Sequence, residues 1–164
     1  MISPALCRCW LTVQGPASEV ARFRRVAEAE PPDPLSFAQL VPVPERLCRA
    51  SLPRIQTWCM RHWGSRGPPR SVQVVRMGRS GITYELQTEW QPPLPLVRRL
   101  ALQYSQLSFD LSYVEPGDLL GRVRQRFANG CCVEGPRREL DPPPRRARTG
   151  GVREVIAGDR GIPV

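Results

Sequence analysis

Residues 82–90 alternate between large and polar side chains with the period of a β-strand. One set, the apolar or partly apolar one, is Ile82, Tyr84, Leu86, Thr88 and Trp90. A period of two places this set on one face of a strand and the intervening polar residues on the other. A half-buried strand belongs to a sheet with one covered face, so the chain is predicted to form a sheet with helices packed on one side.

Similar patterns predict the other elements. Further strands are predicted at residues 9–14, 35–41, 72–76 and 107–113, and helices at 17–30, 55–63 and 92–104. A terminal hairpin over 122–134 centres on Asn129-Gly130, two residues that tolerate the positive φ of a tight turn. The order strand, helix, strand, short helix, strand, strand, helix, strand, hairpin predicts an α+β two-layer sandwich of the split β-α-β kind with an antiparallel sheet.

Composition divides the chain into a folded part and a tail. Residues 1–134 carry the periodic apolar pattern and are predicted to form one domain. Residues 135–164 are rich in Arg, Pro and Gly and lack apolar periodicity, so they are predicted to be a flexible, disordered tail.

The basic charge points to an anionic partner. The net charge is +9, the isoelectric point is near 10.2, and all 24 basic residues are Arg. Such a chain attracts nucleic acid and acidic protein surfaces alike. A GC-rich genome is an alternative origin of the Arg bias, because Arg codons are GC-rich.

The thiol content and the chain's beginning predict a cytoplasmic location. Six Cys would suit a disulfide framework in a secreted protein, but the first ten residues lack an apolar signal core. We therefore expect reduced thiols. No apolar run approaches the roughly 20 residues that a membrane-spanning helix needs, so no membrane anchor is expected.

No residue pattern predicts catalysis or metal binding. Cys7 and Cys9, with the adjacent pair Cys131-Cys132, lack the spacing of structural zinc sites. The single histidine, His62, has no flanking nucleophile motif and is interpreted as structural. No catalytic residue, no metal and no cofactor are expected, and the protein is predicted to be non-enzymatic.

A basic stripe lies in the predicted hairpin. Arg122, Arg124 and Arg126 alternate along one strand and should emerge together on one sheet face, and we call them the arginine stripe. They would bind a partner as steering charges, or nucleic acid on an open sheet face. The alternative is a solvated edge strand whose charges prevent aggregation.

Several short motifs resemble the YubB ferredoxin-like domain family. They run in order from Cys9 to Gly130, and comprise Cys9-Trp10-Leu11-Thr12-Val13 with Gly15-Pro16, Val41-Pro42-Val43-Pro44, Trp58 with Trp63-Gly64, Thr88-Glu89-Trp90 with Pro92-Pro93, and Tyr113-Val114-Glu115 with Gly117 and Gly121. The resemblance implies a ferredoxin-like fold without an iron–sulfur cluster and no established reaction. It also implies an origin on plasmids, phages or conjugative elements, expression in the bacterial cytoplasm, and sometimes a role against host defences.

The resemblance also singles out candidate partner-binding residues. These are Trp63, Trp90 and Glu115, for which an architectural role is the alternative. The leading hypothesis is therefore an accessory protein of a mobile element that binds a host protein or nucleoprotein complex. Inhibition of a host defence system is one form of this hypothesis. The second hypothesis is a protein that binds nucleic acid directly through its basic sheet face and tail.

Overall fold

The computed structural model describes residues 5–30 and 33–139. The elements follow in the order β1 (Leu6–Gln14), α1 (Ala17–Ala27), α2 (Phe37–Leu40), a 3-10 turn (Glu45–Leu47), α3 (Leu52–His62), β2 (Ser71–Met77), β3 (Gly81–Glu89), α4 (Leu94–Gln103), β4 (Ser108–Val114), β5 (Arg122–Ala128) and β6 (Cys131–Glu139). Within these residues, no helix has the length and apolar character needed to cross a membrane.

The strands form one antiparallel sheet in the order β2-β3-β1-β4-β5-β6. β1 is an inner strand, since it pairs with β3 on one side and with β4 on the other. The four strands β2, β3, β1 and β4, together with α1 and α4, have the ferredoxin-like arrangement, which confirms the predicted fold class. The β5–β6 hairpin extends this sheet beyond β4.

The core lies between the helices and one face of the sheet. Phe23 of α1 packs edge-on against three other rings, with centroid distances of 6.4 Å to Tyr84, 5.3 Å to Tyr104 and 5.7 Å to Phe109. Edge-to-face contacts of this kind suit the opposite charges of ring faces and ring edges. The opposite sheet face carries polar and charged side chains and has no helices on it within the described residues.

The prediction of a strand over 35–41 is wrong. Residues 37–40 form the short helix α2, and the Ser36 hydroxyl accepts a hydrogen bond from the backbone N–H of Gln39 at 3.3 Å. A Ser followed three residues later by Gln is a helix-start pattern, and this signal explains the local structure better than the apolar run does. Phe37 and Leu40 of this helical turn, and Leu35 just before it, are buried in the core.

The strand predicted over residues 82–90 is present as β3. It ends at Glu89, one residue before the predicted end. Its side chains alternate between buried and half-buried from Gly81 to Glu89, as predicted. Trp90 is predicted to lie on one strand face with the other members of its set, but its φ of 66° turns the chain out of the strand and leaves the residue 47% exposed.

The predicted hairpin is confirmed. Asn129 and Gly130 have φ values of 52° and 74°, as a tight turn between β5 and β6 requires. β6 continues to Glu139, so residues 135–139, which composition assigned to the tail, belong to this strand, and Arg137, Arg138 and Glu139 pair with β5. The rest of the predicted tail, 140–164, lies outside the described residues.

Candidate nucleic-acid interface

The arginine stripe lies on the open face of the sheet. Arg122, Arg124 and Arg126 project away from the helices, while the alternate residues of β5 project toward the core. All three side chains are half-buried. The structure thus brings the three guanidinium groups to one face, and their surroundings decide whether their charge is available.

Asp110 of β4 lies between two of these arginines. Arg124 donates through Nε to both Asp110 carboxylate oxygens, at 2.8 and 2.9 Å, and Arg126 approaches Oδ2 at 3.4 Å. Paired with Asp110, Arg124 has a pKa held above its ordinary value. Glu139 lies 3.2 Å from Arg124, and Glu134 lies 3.5 Å from Arg126. Arg124 and Arg126 of the stripe are therefore neutralised by their own neighbours.

Arg122 makes a different contact. Its guanidinium carbon lies 3.8 Å from the centroid of the Trp10 ring, and that of Arg8 lies 4.8 Å from the same ring. The Trp10 indole N–H and the Arg8 Nε both donate to the carboxylate of Glu85, at 3.3 and 2.8 Å. The Trp10 ring thus makes cation–π contacts with Arg8 and Arg122. Its indole N–H and Arg8 share Glu85 as hydrogen-bond acceptor.

The residues singled out by the resemblance do not form one site. Trp63 is buried, and its indole N–H donates to the Val41 carbonyl at 2.9 Å. Trp90 is half exposed after β3, and Glu115 is exposed after β4 beside a separate recess with Tyr113. Trp63 thus has an architectural position, and within residues 5–30 and 33–139 the recess beside Glu115 is lined by neither Trp63 nor Trp90.

A strongly basic groove lies on the helical side, between α3 and α4. It has a volume of about 790 Å³ and no acidic residue in its lining. Its charged and ionisable lining, which we call the arginine groove, consists of Arg46, Arg54, Arg61, His62, Arg98 and Arg99. None of these five arginines forms an ion pair within residues 5–30 and 33–139, in contrast to Arg124 and Arg126 of the stripe. A neighbouring recess adds Arg49 to the positive surface.

The two helices present these side chains in different ways, and in α4 the opposite face of the helix is buried. In α4, the inward residues Leu96, Val97, Leu100 and Ala101 are fully buried. This packing turns Arg98 and Arg99 outward. In α3, Arg54 and Arg61 are two helical turns apart, at the seven-residue spacing that places side chains on one helix face.

Gly64 sets how closely the end of α3 approaches the beginning of α4. Its φ is 83°, and a β-carbon there would lie 2.7 Å from Cδ of Pro95 and 2.9 Å from the carbonyl oxygen of Pro92. Only glycine fits this conformation and this contact without strain. The arginine groove therefore depends on Gly64, although Gly64 is not part of its lining.

An aromatic pair forms part of the groove wall. The exposed His62 ring stacks on Trp58, with centroids 4.5 Å apart and planes inclined by 23°. Trp58 in turn meets the buried Trp63 edge-on at 5.6 Å, and Trp63 meets Phe37 at 5.8 Å. A continuous series of ring contacts thus connects the exposed His62 through Trp58 to the buried Trp63, and these contacts orient the His62 ring.

Sequence reasoning missed this groove. The sequence pattern indicates only a structural role for His62 and does not single out Arg98 and Arg99. The spacing of Arg54, Trp58, Arg61 and His62 on one short helix was an available signal. Their position opposite Arg98 and Arg99 comes from tertiary packing and has no local sequence signature.

The thiols do not assemble a metal centre within the described residues, where no group of three potential ligands lies together. Cys7 and Cys9 are buried neighbours with their sulfur atoms 3.7 Å apart. Interaction with the Cys7 thiol, together with burial, raises the pKa of Cys9 well above its ordinary value. A thiol that stays protonated is a poor nucleophile and a poor metal ligand.

Comparisons with known proteins identify the fold. Residues 71–134, less than half of the chain, match a family model described as a ferredoxin-like domain in Api92-like protein. The crystal structure of the protein api92 from Yersinia pseudotuberculosis is similar, with a TM-score of 0.60 and 10% sequence identity, over 86% of this chain and 100% of that one. No curated protein matches. The chain thus contains a ferredoxin-like domain similar to that of Api92-like protein, a likeness that concerns fold and not activity.

Proposed function

We propose that this protein is a non-enzymatic binding protein whose partner is nucleic acid, bound in the arginine groove. One observation carries the proposal, namely five arginines around one groove that holds no acidic side chain. Each arginine that meets a phosphate releases condensed counterions from the nucleic acid, and this release favours binding.

The two basic surfaces differ in available charge. On the sheet face, Asp110 and its acidic neighbours already satisfy Arg124 and Arg126, so a phosphate would have to displace a carboxylate. In the arginine groove no such competitor lies within the described residues. The geometry therefore favours the arginine groove over the arginine stripe as the site that binds a polyanion, and this supports the proposal that nucleic acid binds there.

Fluorescence anisotropy of a labelled short oligonucleotide tests the proposal. We expect binding at low salt that weakens as salt rises, with a slope of log Kobs against log salt of about −2 to −3.5 for about three to five phosphate contacts on a single strand. Replacing Arg61, Arg98 and Arg99 together by Gln should weaken binding more than tenfold and make the slope about 2 units shallower.

A matched control separates the groove from overall charge. Arg25, Arg66 and Arg79 are exposed and lie outside the groove, and their joint replacement by Gln removes the same three charges. This control should bind nearly as well as the unaltered protein. Equal losses in both triple variants would contradict a groove-specific site, and a flat titration at low salt would contradict nucleic-acid binding altogether.

A host protein is the second candidate partner, and the outer strand β2 favours it. Val74, Val75 and Met77 are 38%, 49% and 59% exposed on this edge of the sheet. An apolar edge strand suits pairing with a strand of another protein. A photo-crosslinking residue at position 75 should then capture one protein from nuclease-treated bacterial lysate, and the same residue at position 79 should not.

The biological setting belongs to the same proposal. The motifs that resemble the YubB ferredoxin-like family support a relationship to that family, an origin on a mobile element or phage and a place in the bacterial cytoplasm. A role against host defence would follow if the bound nucleic acid or protein belongs to a defence system. Purification from a bacterial host, with and without nuclease, would identify that partner.

A further inference from the structure

We propose, building on the proposed nucleic-acid function, that the arginine groove selects single-stranded nucleic acid and that a base stacks on the exposed ring of His62. The phosphates would meet the arginines of α3 and α4. The base would extend the existing stack of His62 on Trp58.

The aromatic contacts give the groove a fixed platform. His62 is the last residue of α3 and is exposed, so its ring is the outer member of the pair with Trp58. Behind Trp58 lies Trp63, which is anchored by its hydrogen bond to Val41. A ring held in this way loses little conformational freedom when a base stacks on it.

Stacking on a side chain requires a base with a free face. In a duplex each base face is covered by its neighbours, so the platform could reach a base only after unstacking, which costs energy. A single strand presents its bases at no such cost. The stack therefore favours single strands, whereas the arginines alone would attract any polyanion.

The dimensions of the groove agree with a flexible single strand. Its volume of about 790 Å³ is within the range of small-molecule pockets, roughly 300–1,000 Å³, and a pocket of this size suits a short segment of a flexible strand better than a rigid duplex. The arginines lie on both walls, Arg54 and Arg61 on α3 and Arg98 and Arg99 on α4. A strand between the helices would have cations on each side.

The test compares three labelled ligands with equal numbers of phosphates: a single-stranded thymidine oligomer, a duplex, and an abasic oligomer with the same backbone and no bases. We expect the single strand to bind roughly 5- to 150-fold more tightly than the abasic oligomer, the range expected for stacking of one base on an aromatic ring. The duplex, whose base faces are covered, should bind less tightly than the thymidine oligomer.

Two substitutions at the platform give a second readout. His62→Ala should lower affinity for the single strand to about the abasic level, and it should reduce affinity for the single strand far more than affinity for the abasic oligomer. His62→Phe keeps an aromatic ring and should restore the preference. Because His62 is exposed at a helix end, both variants should fold, and circular dichroism would verify this.

The outcomes distinguish this inference from the function on which it rests. If no ligand binds, nucleic-acid binding itself is wrong. If all three ligands bind equally, with affinity lost on replacing Arg61, Arg98 and Arg99, the arginine groove binds polyanions and the stacking inference is wrong. An RNA oligomer of the same length added as a fourth ligand shows whether the 2′-hydroxyl matters.

Discussion

The guanidinium of Arg124 and the carboxylate of Asp110 meet across adjacent strands, with Nε lying 2.8 and 2.9 Å from the two carboxylate oxygens. Asp110 is nearly buried and also lies near Arg126. The pair therefore stabilises the junction of β4 and β5 while reducing the positive charge of the open sheet face. Without Asp110, Arg124 and Arg126 would be two neighbouring cations that have lost the anion they share.

We predict that Asp110→Ala lowers the free energy of unfolding by about 1–3 kcal/mol, because charge-assisted hydrogen bonds are lost and two cations then repel each other. Urea denaturation at neutral pH measures this difference. Glu139→Ala is the control, since Glu139 contacts the same Arg124 from an exposed position and should cost less than about 1 kcal/mol. Equal losses would show that burial of Asp110 is not decisive.

Gly64→Ala should destabilise the protein by more than about 2 kcal/mol, since a β-carbon adds left-handed backbone strain and collides with Pro92 and Pro95. It should also weaken oligonucleotide binding by displacing α3 from α4. Gly67→Ala is the control, because a β-carbon there meets nothing within 4 Å. Thermal denaturation and anisotropy follow the two effects, and a Gly64→Ala variant as stable as the control would contradict the packing.

Trp90 allows a test of backbone strain. Its φ of 66° is unfavourable for any residue with a β-carbon, so Trp90→Gly should be more stable than Trp90→Ala by about 1 kcal/mol. Both variants lose the indole, and only glycine relieves the strain. Elsewhere in ordered structure alanine is usually the better of the two, so the reverse order in urea denaturation would contradict the left-handed conformation.

Tyr84 makes the fold sensitive to alkaline pH. Burial raises the pKa of Tyr84 from 10.0 to about 12, so between these values the unfolded chain ionises while the folded chain stays protonated. Its contribution is fully present below pH 10 and is lost as the pH rises toward 12, a decrease of roughly 2–3 kcal/mol. Tyr84→Phe should show a shallower decline of unfolding free energy over this range, and an unchanged decline would exclude Tyr84 as its cause.

Local patterns were sufficient for most of the fold. The alternation of residues 82–90 predicted β3, and Asn129-Gly130 predicted the hairpin turn. The failure at 35–41 arose where a short apolar run fits a strand and a helical turn equally well. Ser36 and Gln39 decide between the two by capping the helix, a signal that outweighs strand propensity there.

The candidate site was less predictable because it depends on tertiary contacts. Alternation was enough to place Arg122, Arg124 and Arg126 on one face, but the identity of their neighbour Asp110 follows from the register of β4 on β5. The arginine groove lies between α3 and α4, which are distant in sequence. The close approach of these two helices depends on Gly64. No periodicity within either helix contains that information.

The inner position of β1 has a consequence for the kinetics of folding. Gln14 pairs with Gly81 and Arg8 with Val114, so β1, which is synthesised before its partners, must wait for residues that lie 67 to 106 positions later in the chain. Such non-local pairing slows folding, to times on the order of milliseconds to seconds. Until β3 and β4 have left the ribosome, Leu11 and Val13 have no sheet to join, and the nascent chain is at its most vulnerable to aggregation.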